Sequence, residues 1–471
     1  MTSSTSTLIE DLTIQPVPEQ RRTGRARHLF SVWFGVQIMP LTLVTGVLGP
    51  TVYGLDLPST IVAILVGNAI GAVFMALHSV QGARLGVPQM IQARAQFGMH
   101  GSLLVLIVVV LMYLGFLASI IVLARDTLVQ VIPVLDPTVA LFVCVALTLI
   151  AVIFGYELIH RANRVLLYFF GAAVVLLAVC TIVSLASGHA PTNSSSFTLV
   201  GFIGMSSLAA TWQIAYAPYV SDYSRYLPSD TKPKLAFWYT YLGAVGGAVP
   251  MMILGALLIY AVGGDGSMEA LASVMPPPIS LFVMIMLFLG AIDAAVMNLY
   301  GPSLCTLTLI QTFRLKWRPG ATARNVVATV TAVVTLLIAL FFANDFLASY
   351  SNFIHFLMCL LIPWSVVNLV DYYAINHGNY DVESFENSTK GYGAFNIPAL
   401  LTYVIGFVVQ LPFMSGAFFT GFIAASMNGI DISWLVGSIA SYFLYLALAR
   451  GARQQREVKD DAIRESPAIP R

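Results

Sequence analysis

Residues Ile279–Cys305, ISLFVMIMLFLGAIDAAVMNLYGPSLC, form an apolar run with a single charge, Asp293, and an amide, Asn298, five residues later. About 20 such residues cross the hydrocarbon core of a bilayer as a helix. A carboxylate at that depth costs roughly 3 kcal/mol or more unless it faces a bundle interior, an aqueous cavity or an ion. The run is therefore read as a membrane helix whose carboxylate serves a function.

The rest of the chain agrees. Of its 471 residues, 58% are hydrophobic and only 10% charged, against about a quarter charged in soluble domains. The apolar runs exceed the roughly 10-residue alternating segments of outer-membrane barrels, and helices are the other way to satisfy a backbone in lipid. Twelve spans are predicted, near 29–53, 59–82, 102–124, 138–157, 165–186, 198–220, 235–263, 278–305, 325–344, 348–370, 397–421 and 432–450. Placing the N-terminus in the cytoplasm puts 22 of the 23 Lys and Arg residues on the inner side, leaving Arg125 outside beside Asp126, as the positive-inside bias requires. Both termini are then cytoplasmic, and Arg21, Arg22, Arg25 and Arg27 belong to an inner tail, residues 1–28, and not to a signal peptide. A second cytoplasmic tail covers 451–471, and 371–396 is read as an inner loop. Cys144, Cys180, Cys305 and Cys359 all lie in apolar runs, which points to buried thiols and no disulfide or metal framework. A net charge of +1 gives no electrostatic footprint for nucleic acid.

Two spans carry helix-breaking residues. The first holds Pro40, Thr42, Thr45, Gly46, Gly49 and Pro50; the sixth holds Gly204, Ser206, Ser207, Thr211, Gln213 and Pro218. Unwound backbone at membrane depth is tolerated only where it lines protein or water, and there it offers carbonyls and amides to a ligand. One broken span opens the first five (29–186) and the other opens the next five (198–370). Five is odd, so the two units have opposite topology. The expected fold is all-α, with twelve transmembrane helices in a 5+5 inverted repeat and two further helices in 397–450.

Several segments carry a family resemblance. They are Thr45-Gly-Val-Leu-Gly-Pro-Thr-Val-Tyr-Gly-Leu-Asp-Leu57, the Gly67-Asn68 pair, Gly86-Val-Pro-Gln-Met-Ile-Gln-Ala-Arg-Ala-Gln-Phe-Gly98, Ser221-Asp-Tyr-Ser-Arg-Tyr-Leu-Pro228 and Asn298-Leu-Tyr300. Together they resemble the nucleobase:cation symporter-1 family, whose best-known branch is the purine/cytosine permeases, from about Arg27 to the tenth span. The resemblance implies a leucine-transporter-type fold, alternating access, and symport of a nucleobase or related heterocycle with Na⁺ or H⁺.

Family roles carry over unevenly. Gln37 falls where relatives place a polar residue against the substrate, and Asn298 matches the family Asn that hydrogen-bonds it. The third-span stacking Trp of the family is replaced by Phe116, with Tyr113 one turn earlier. Trp212, Gln213 and Tyr216 are candidates for a second aromatic wall and a polar edge contact. Ala294 and Ala295 stand where cytosine and purine permeases often carry an Asn, which weakens the case for those substrates. Asp293 lies at or beside a hydroxyl position of the family Na⁺ site, flanked by Ile292 and Ala294, neither of which coordinates a cation. It either ligates a cation or takes a proton, and the missing hydroxyls favour the proton. His355 is a further relay candidate in the tenth span.

The expected activity is secondary import of a small planar nitrogen heterocycle, cytosine or purine first, by a monomer in a plasma or inner membrane, with no cofactor besides the coupling ion. Allantoin, hydantoins, vitamin-like pyrimidines and an uncoupled facilitator or channel are the alternatives. An enzyme would need a paired constellation that these spans lack, and there is no Gly-x-x-x-x-Gly-Lys-[Ser/Thr] phosphate loop for a primary pump.

Overall fold

In a computed structural model of the chain, the first span breaks where its sequence removes a hydrogen bond. Pro40 has no N–H to return to the Val36 carbonyl four residues earlier. Helix α1 (Arg27–Gln37) stops there, Ile38 and Met39 leave helical geometry, and α2 (Pro40–Thr51) restarts with its axis turned by 61°. The structure describes residues 16–465 apart from 155, 188–195, 264–265, 315–316, 318–319, 387–391 and 417–418. The predicted loop charges Asp265, Lys316, Arg318 and Lys390 lie outside the described residues, as do the first 15 residues and the last six.

The remaining helices are α3 (Leu57–Leu85), α4 (Gln89–Phe97), α5 (Ser102–Val131), α6 (Pro137–Phe154), α7 (Tyr156–Ala186), α8 (Leu199–Ile214), α9 (Ala217–Ser224), α10 (Pro233–Val262), α11 (Met268–Ser273), α12 (Pro277–Phe313), α13 (Ala321–Phe342), α14 (Phe346–Val370), α15 (Ile397–Gln410), α16 (Phe422–Ser426) and α17 (Ser433–Glu465). Among the described residues, nine helical stretches are long and apolar enough to cross a membrane; the bent α1–α2 pair and the shorter apolar helices beginning at Pro137 and Ile397 occupy the remaining predicted positions. The protein is an all-helical, multi-pass membrane protein.

The sixth span breaks later than its glycines suggest. Helix α8 runs unbroken past Gly204, Ser206 and Thr211 and ends at Ile214, the residue whose carbonyl would need the N–H that Pro218 lacks. Ala215 and Tyr216 form the interruption, and Leu199–Ser224 continues as one span of 26 residues. In both broken spans the helix fails near the carbonyl four residues ahead of a proline.

The inverted repeat shows in the packing. Moving every helix five spans along exchanges α3 with α10, α5 with α12, α6 with α13 and α7 with α14, and α8 with the α1–α2 pair. Several of the observed contacts map onto one another under that exchange: α3 packs on α8 as α10 packs on α1 and α2, α5 on α13 as α12 on α6, and α7 on α10 as α14 on α3, while α3–α10 and α5–α12 map onto themselves. Glycines make the first of these contacts close. A β-carbon at Gly67 or Gly71 of α3 would strike the Ser206 or Ala210 carbonyl of α8, and one at Gly243 or Gly247 of α10 would strike the Phe30 or Phe34 carbonyl of α1. Small residues at such seams are the membrane's substitute for hydrophobic association. Helices α15 and α17 pack against each other and onto α14, outside this symmetric core.

The stretch after α14 is more ordered than its glycines and charges suggest. Asp371 opens a single turn of π-helix, is buried, and accepts hydrogen bonds from the Tyr445 hydroxyl (2.6 Å) and the Asn376 amide (2.9 Å), and from Tyr380. Phe385 and Tyr372 pack with Leu85, Val87 and Ile91. This segment is a small cap tied to the tenth span and to α17.

Candidate functional site

Both helix breaks open onto one cavity of about 520 Å³. Its wall comes from Val36, Ile38, Met39 and Pro40 at the first break, Ala215, Tyr216 and Tyr219 at the second, Tyr113 and Phe116 of α5, Phe170 of α7, and Asp293, Ala294, Met297 and Asn298 of α12. Val36, whose carbonyl Pro40 deprives of its helical donor, is one of the lining residues.

The aromatic lining follows helical spacing. Tyr113 and Phe116 are three residues apart and share a face of α5. Trp212, Tyr216, Tyr219 and Tyr223 fall at intervals of four, three and four, so they form one stripe along α8 and α9, and all four line the cavity. The rings hold one another in place. Phe116 meets Trp212 edge-on at 5.9 Å and Phe353 at 5.3 Å, Trp212 meets Tyr216 edge-on at 6.0 Å, and Tyr113 stacks on Tyr219 at 5.6 Å. Trp33, fully buried in α1, braces Tyr216 and Tyr223 from behind. The cavity is thus lined by a contiguous set of aromatic rings from α5 and α8–α9, with the polar groups Asp293 and Asn298 contributed by α12.

Asp293 is the one carboxylate or basic side chain among the described lining residues, and it is partly buried. Asn298 donates its amide N–H to the Ala294 carbonyl at 2.9 Å, which leaves its Oδ1 as an acceptor on the cavity side chain.

Gln37 and Gln213 stand elsewhere. Both are completely buried behind the wall, where their amides bond to each other at 3.2 Å. Trp212 donates its indole N–H to Gln37 Oε1, and Gln213 donates to Asn68 Oδ1 at 2.7 Å and to the Ala244 carbonyl at 3.3 Å. The structure therefore brings Tyr113, Phe116, Trp212, Tyr216, Asp293 and Asn298 together around the cavity and sets the two glutamines one layer back. His355 lies away from the cavity, beside Tyr53 and bonded through Nδ1 to the Ser351 carbonyl at 2.9 Å. There the Tyr53 hydroxyl bonds Ser351 at 3.0 Å and Thr45 of α2 bonds Tyr350 at 2.9 Å, so two hydrogen bonds tie the first span and the residues just after it to α14. In the other direction the cavity extends to Tyr223, which is exposed at the end of α9. Asp222, next along, accepts the backbone N–H of Gln89 at 2.9 Å and so caps α4.

Sequence reasoning missed Tyr219, Tyr223 and Asn68. The first two carried a signal, since they extend the Trp212–Tyr216 pair at helical spacing. Asn68 stood within a recognised pair of residues but had no assigned role.

Comparison with known proteins follows the same lines. Residues 16–437 match the family described as permease for cytosine/purines, uracil, thiamine, allantoin. A protein of Bacillus subtilis strain 168 named "Putative purine-cytosine permease YxlA" is 36% identical over 450 residues, 95% of this chain and 97% of its own length. Among solved structures, Mhp1 in an inward-facing conformation superposes with a TM-score of 0.74 at 16% identity, covering 96% of both chains. Mhp1 in a closed conformation with bromovinylhydantoin bound, described as a transporter of the nucleobase-cation-symport-1 family, gives 0.72 at 19% identity over 95% of this chain and 97% of that one. These likenesses carry the leucine-transporter-type fold, and the chain is a transporter and not an enzyme. With its broken first and sixth spans meeting at an aromatic cavity, the chain belongs to the family of permeases for cytosine/purines, uracil, thiamine and allantoin, the nucleobase:cation symporter-1 family.

Proposed function

We propose that the protein imports a small planar nitrogen heterocycle, a nucleobase of the cytosine or purine type first, in symport with H⁺. The observation that carries this reading is the cavity itself: about 520 Å³, lined by aromatic side chains of α5 and α8–α9, with one carboxylate and one amide on α12. Every heterocycle has a π-face, so stacking supports a flat ligand, and the polar edge supplies orientation. The relatives' names support the same substrate class.

Asp293 is the proposed proton carrier. Ile292 and Ala294 beside it offer no side-chain oxygen, and an oxygen-ligated metal ion needs several hard donors. A carboxylate held in an apolar wall instead exchanges a proton as the cavity switches between aqueous sides. The basic-residue distribution supports cytoplasmic termini in a plasma or inner membrane.

A second reading, allantoin or a hydantoin-type ring, is favoured by Ala294 and Ala295, which supply no amide where cytosine and purine permeases often carry Asn. A thermal-shift panel on purified protein, covering cytosine, adenine, uracil, allantoin and hydantoin, separates the two, because a ligand of the folded state raises the melting temperature by mass action. A shift with cytosine or adenine supports the first reading; a shift confined to allantoin or hydantoin supports the second; no shift with any overturns both.

A further inference from the structure

We infer that Asn68, which touches no part of the cavity, is a positioning residue for the substrate-stacking face of Trp212. The inference rests on the heterocycle reading above. It starts from a chain of buried hydrogen bonds whose direction is dictated by its end. An indole nitrogen only donates. Gln37 must therefore turn Oε1 to Trp212, which leaves its Nε2 to donate to Gln213 Oε1 at 3.2 Å. Gln213 is left with its Nε2, which donates to Asn68 Oδ1 at 2.7 Å and, at the longer distance of 3.3 Å, to the Ala244 carbonyl. Asn68 Nδ2 then donates to the Ile64 carbonyl at 2.9 Å and toward the Met252 sulfur at 3.3 Å. Three amides are thus locked in one sense, and all are completely buried.

Asn68 is where the chain ends on backbone. Its place is fixed by the glycine beside it: Gly67 lets α3 touch the α8 backbone at Ser206, which brings the next residue against Gln213. Asn68 supplies the closer of the two acceptors that hold Gln213, Gln213 holds Gln37, and Gln37 holds the Trp212 indole, whose ring lines the cavity. The same chain joins α1, α3, α8 and α10 at one level, so these helices carry the Trp212 wall as a unit against the α5 and α12 wall.

The test uses full-length protein labelled with ¹⁵N in the indole ring of its six tryptophans, the Trp212 Nε1–H signal being assigned by its loss in Trp212→Phe. Asn68→Leu keeps the size and removes the acceptor. Asn68→Asp, as a neutral acid, restores an oxygen for Gln213 and an O–H for the Ile64 carbonyl. The expected result is that Asn68→Leu moves the Trp212 signal and weakens cytosine binding about tenfold, as the loss of one buried acceptor warrants, while Asn68→Asp restores both. In the Trp212→Phe background, with no indole N–H left to place, Asn68→Leu has no further effect on affinity. An unmoved Trp212 signal in Asn68→Leu, or a loss of affinity that multiplies with that of Trp212→Phe, overturns the inference. If wild type binds no cytosine, the substrate reading has failed, and the indole signal alone decides whether Asn68 sets the position of Trp212.

Discussion

Phe116 gives the sharpest prediction. Its ring lines the cavity and is held edge-on by Trp212 at 5.9 Å and by Phe353 at 5.3 Å, so it is fixed before any ligand arrives. Replacing it by leucine keeps an apolar side chain of similar bulk but removes the π-face. Stacking of a base on an aromatic side chain is worth about 1–3 kcal/mol, which corresponds to a loss of about 5-fold to 150-fold in affinity. Each edge-to-face pair lost adds about 0.5–1.5 kcal/mol of destabilisation, so the variant also melts earlier. Phe116→Trp restores a flat face and is expected to bind within about threefold of wild type, on the same stacking argument. Isothermal titration with cytosine, run beside a thermal melt for each variant, separates the two effects. A leucine variant that binds as tightly as wild type would refute the stacking role and leave Phe116 as a packing residue.

Other substitutions probe the fold and the coupling. Asp293→Asn is expected to abolish proton-driven accumulation while leaving exchange of substrate across the membrane, measured by counterflow; retained accumulation removes Asp293 from the proton path. Gly71→Ala drives a β-carbon into the Ala210 carbonyl of α8 and should cost about 1–3 kcal/mol as overpacking, read as a lower melting temperature in detergent. Asp56 caps α3 by accepting the Ser59 N–H at 2.8 Å, and the Ser59 hydroxyl together with that N–H holds its carboxyl below the usual range. Asp56→Ala should cost about 1 kcal/mol at neutral pH. Because the folded state has the lower pKa, this stabilisation is present above the unfolded value of about 3.9 and fades as pH falls below it, so the gap in melting temperature between wild type and variant should narrow as the pH is lowered through that range.

Much of this was legible in the chain. Twelve helical segments follow from apolar length, and both breaks follow from prolines, because a missing N–H acts on a carbonyl only four residues away. The second break shows how far such local reasoning reaches: Gly204 and Ser206 look like its site, yet the helix passes through them, Gly204 making room for the Tyr53 ring and the Ser206 carbonyl lying against Gly67 of α3. The aromatic stripe from Trp212 to Tyr223 was readable as helical periodicity. Gln37 and Gln213 were not resolved to their places, because where a buried amide points depends on partners such as Asn68, 145 residues from Gln213. Asp371 was hidden for the same reason: its hydroxyl partner Tyr445 is 74 residues on, and the intervening glycines and charges resemble a loop.

Accumulation of labelled cytosine or adenine in proteoliposomes carrying the purified protein, with an imposed inward proton gradient and no Na⁺, tests the central claim most directly. The account predicts uptake above equilibrium that collapses with a protonophore and is absent in Asp293→Asn. Accumulation that requires Na⁺ and ignores the proton gradient would contradict it.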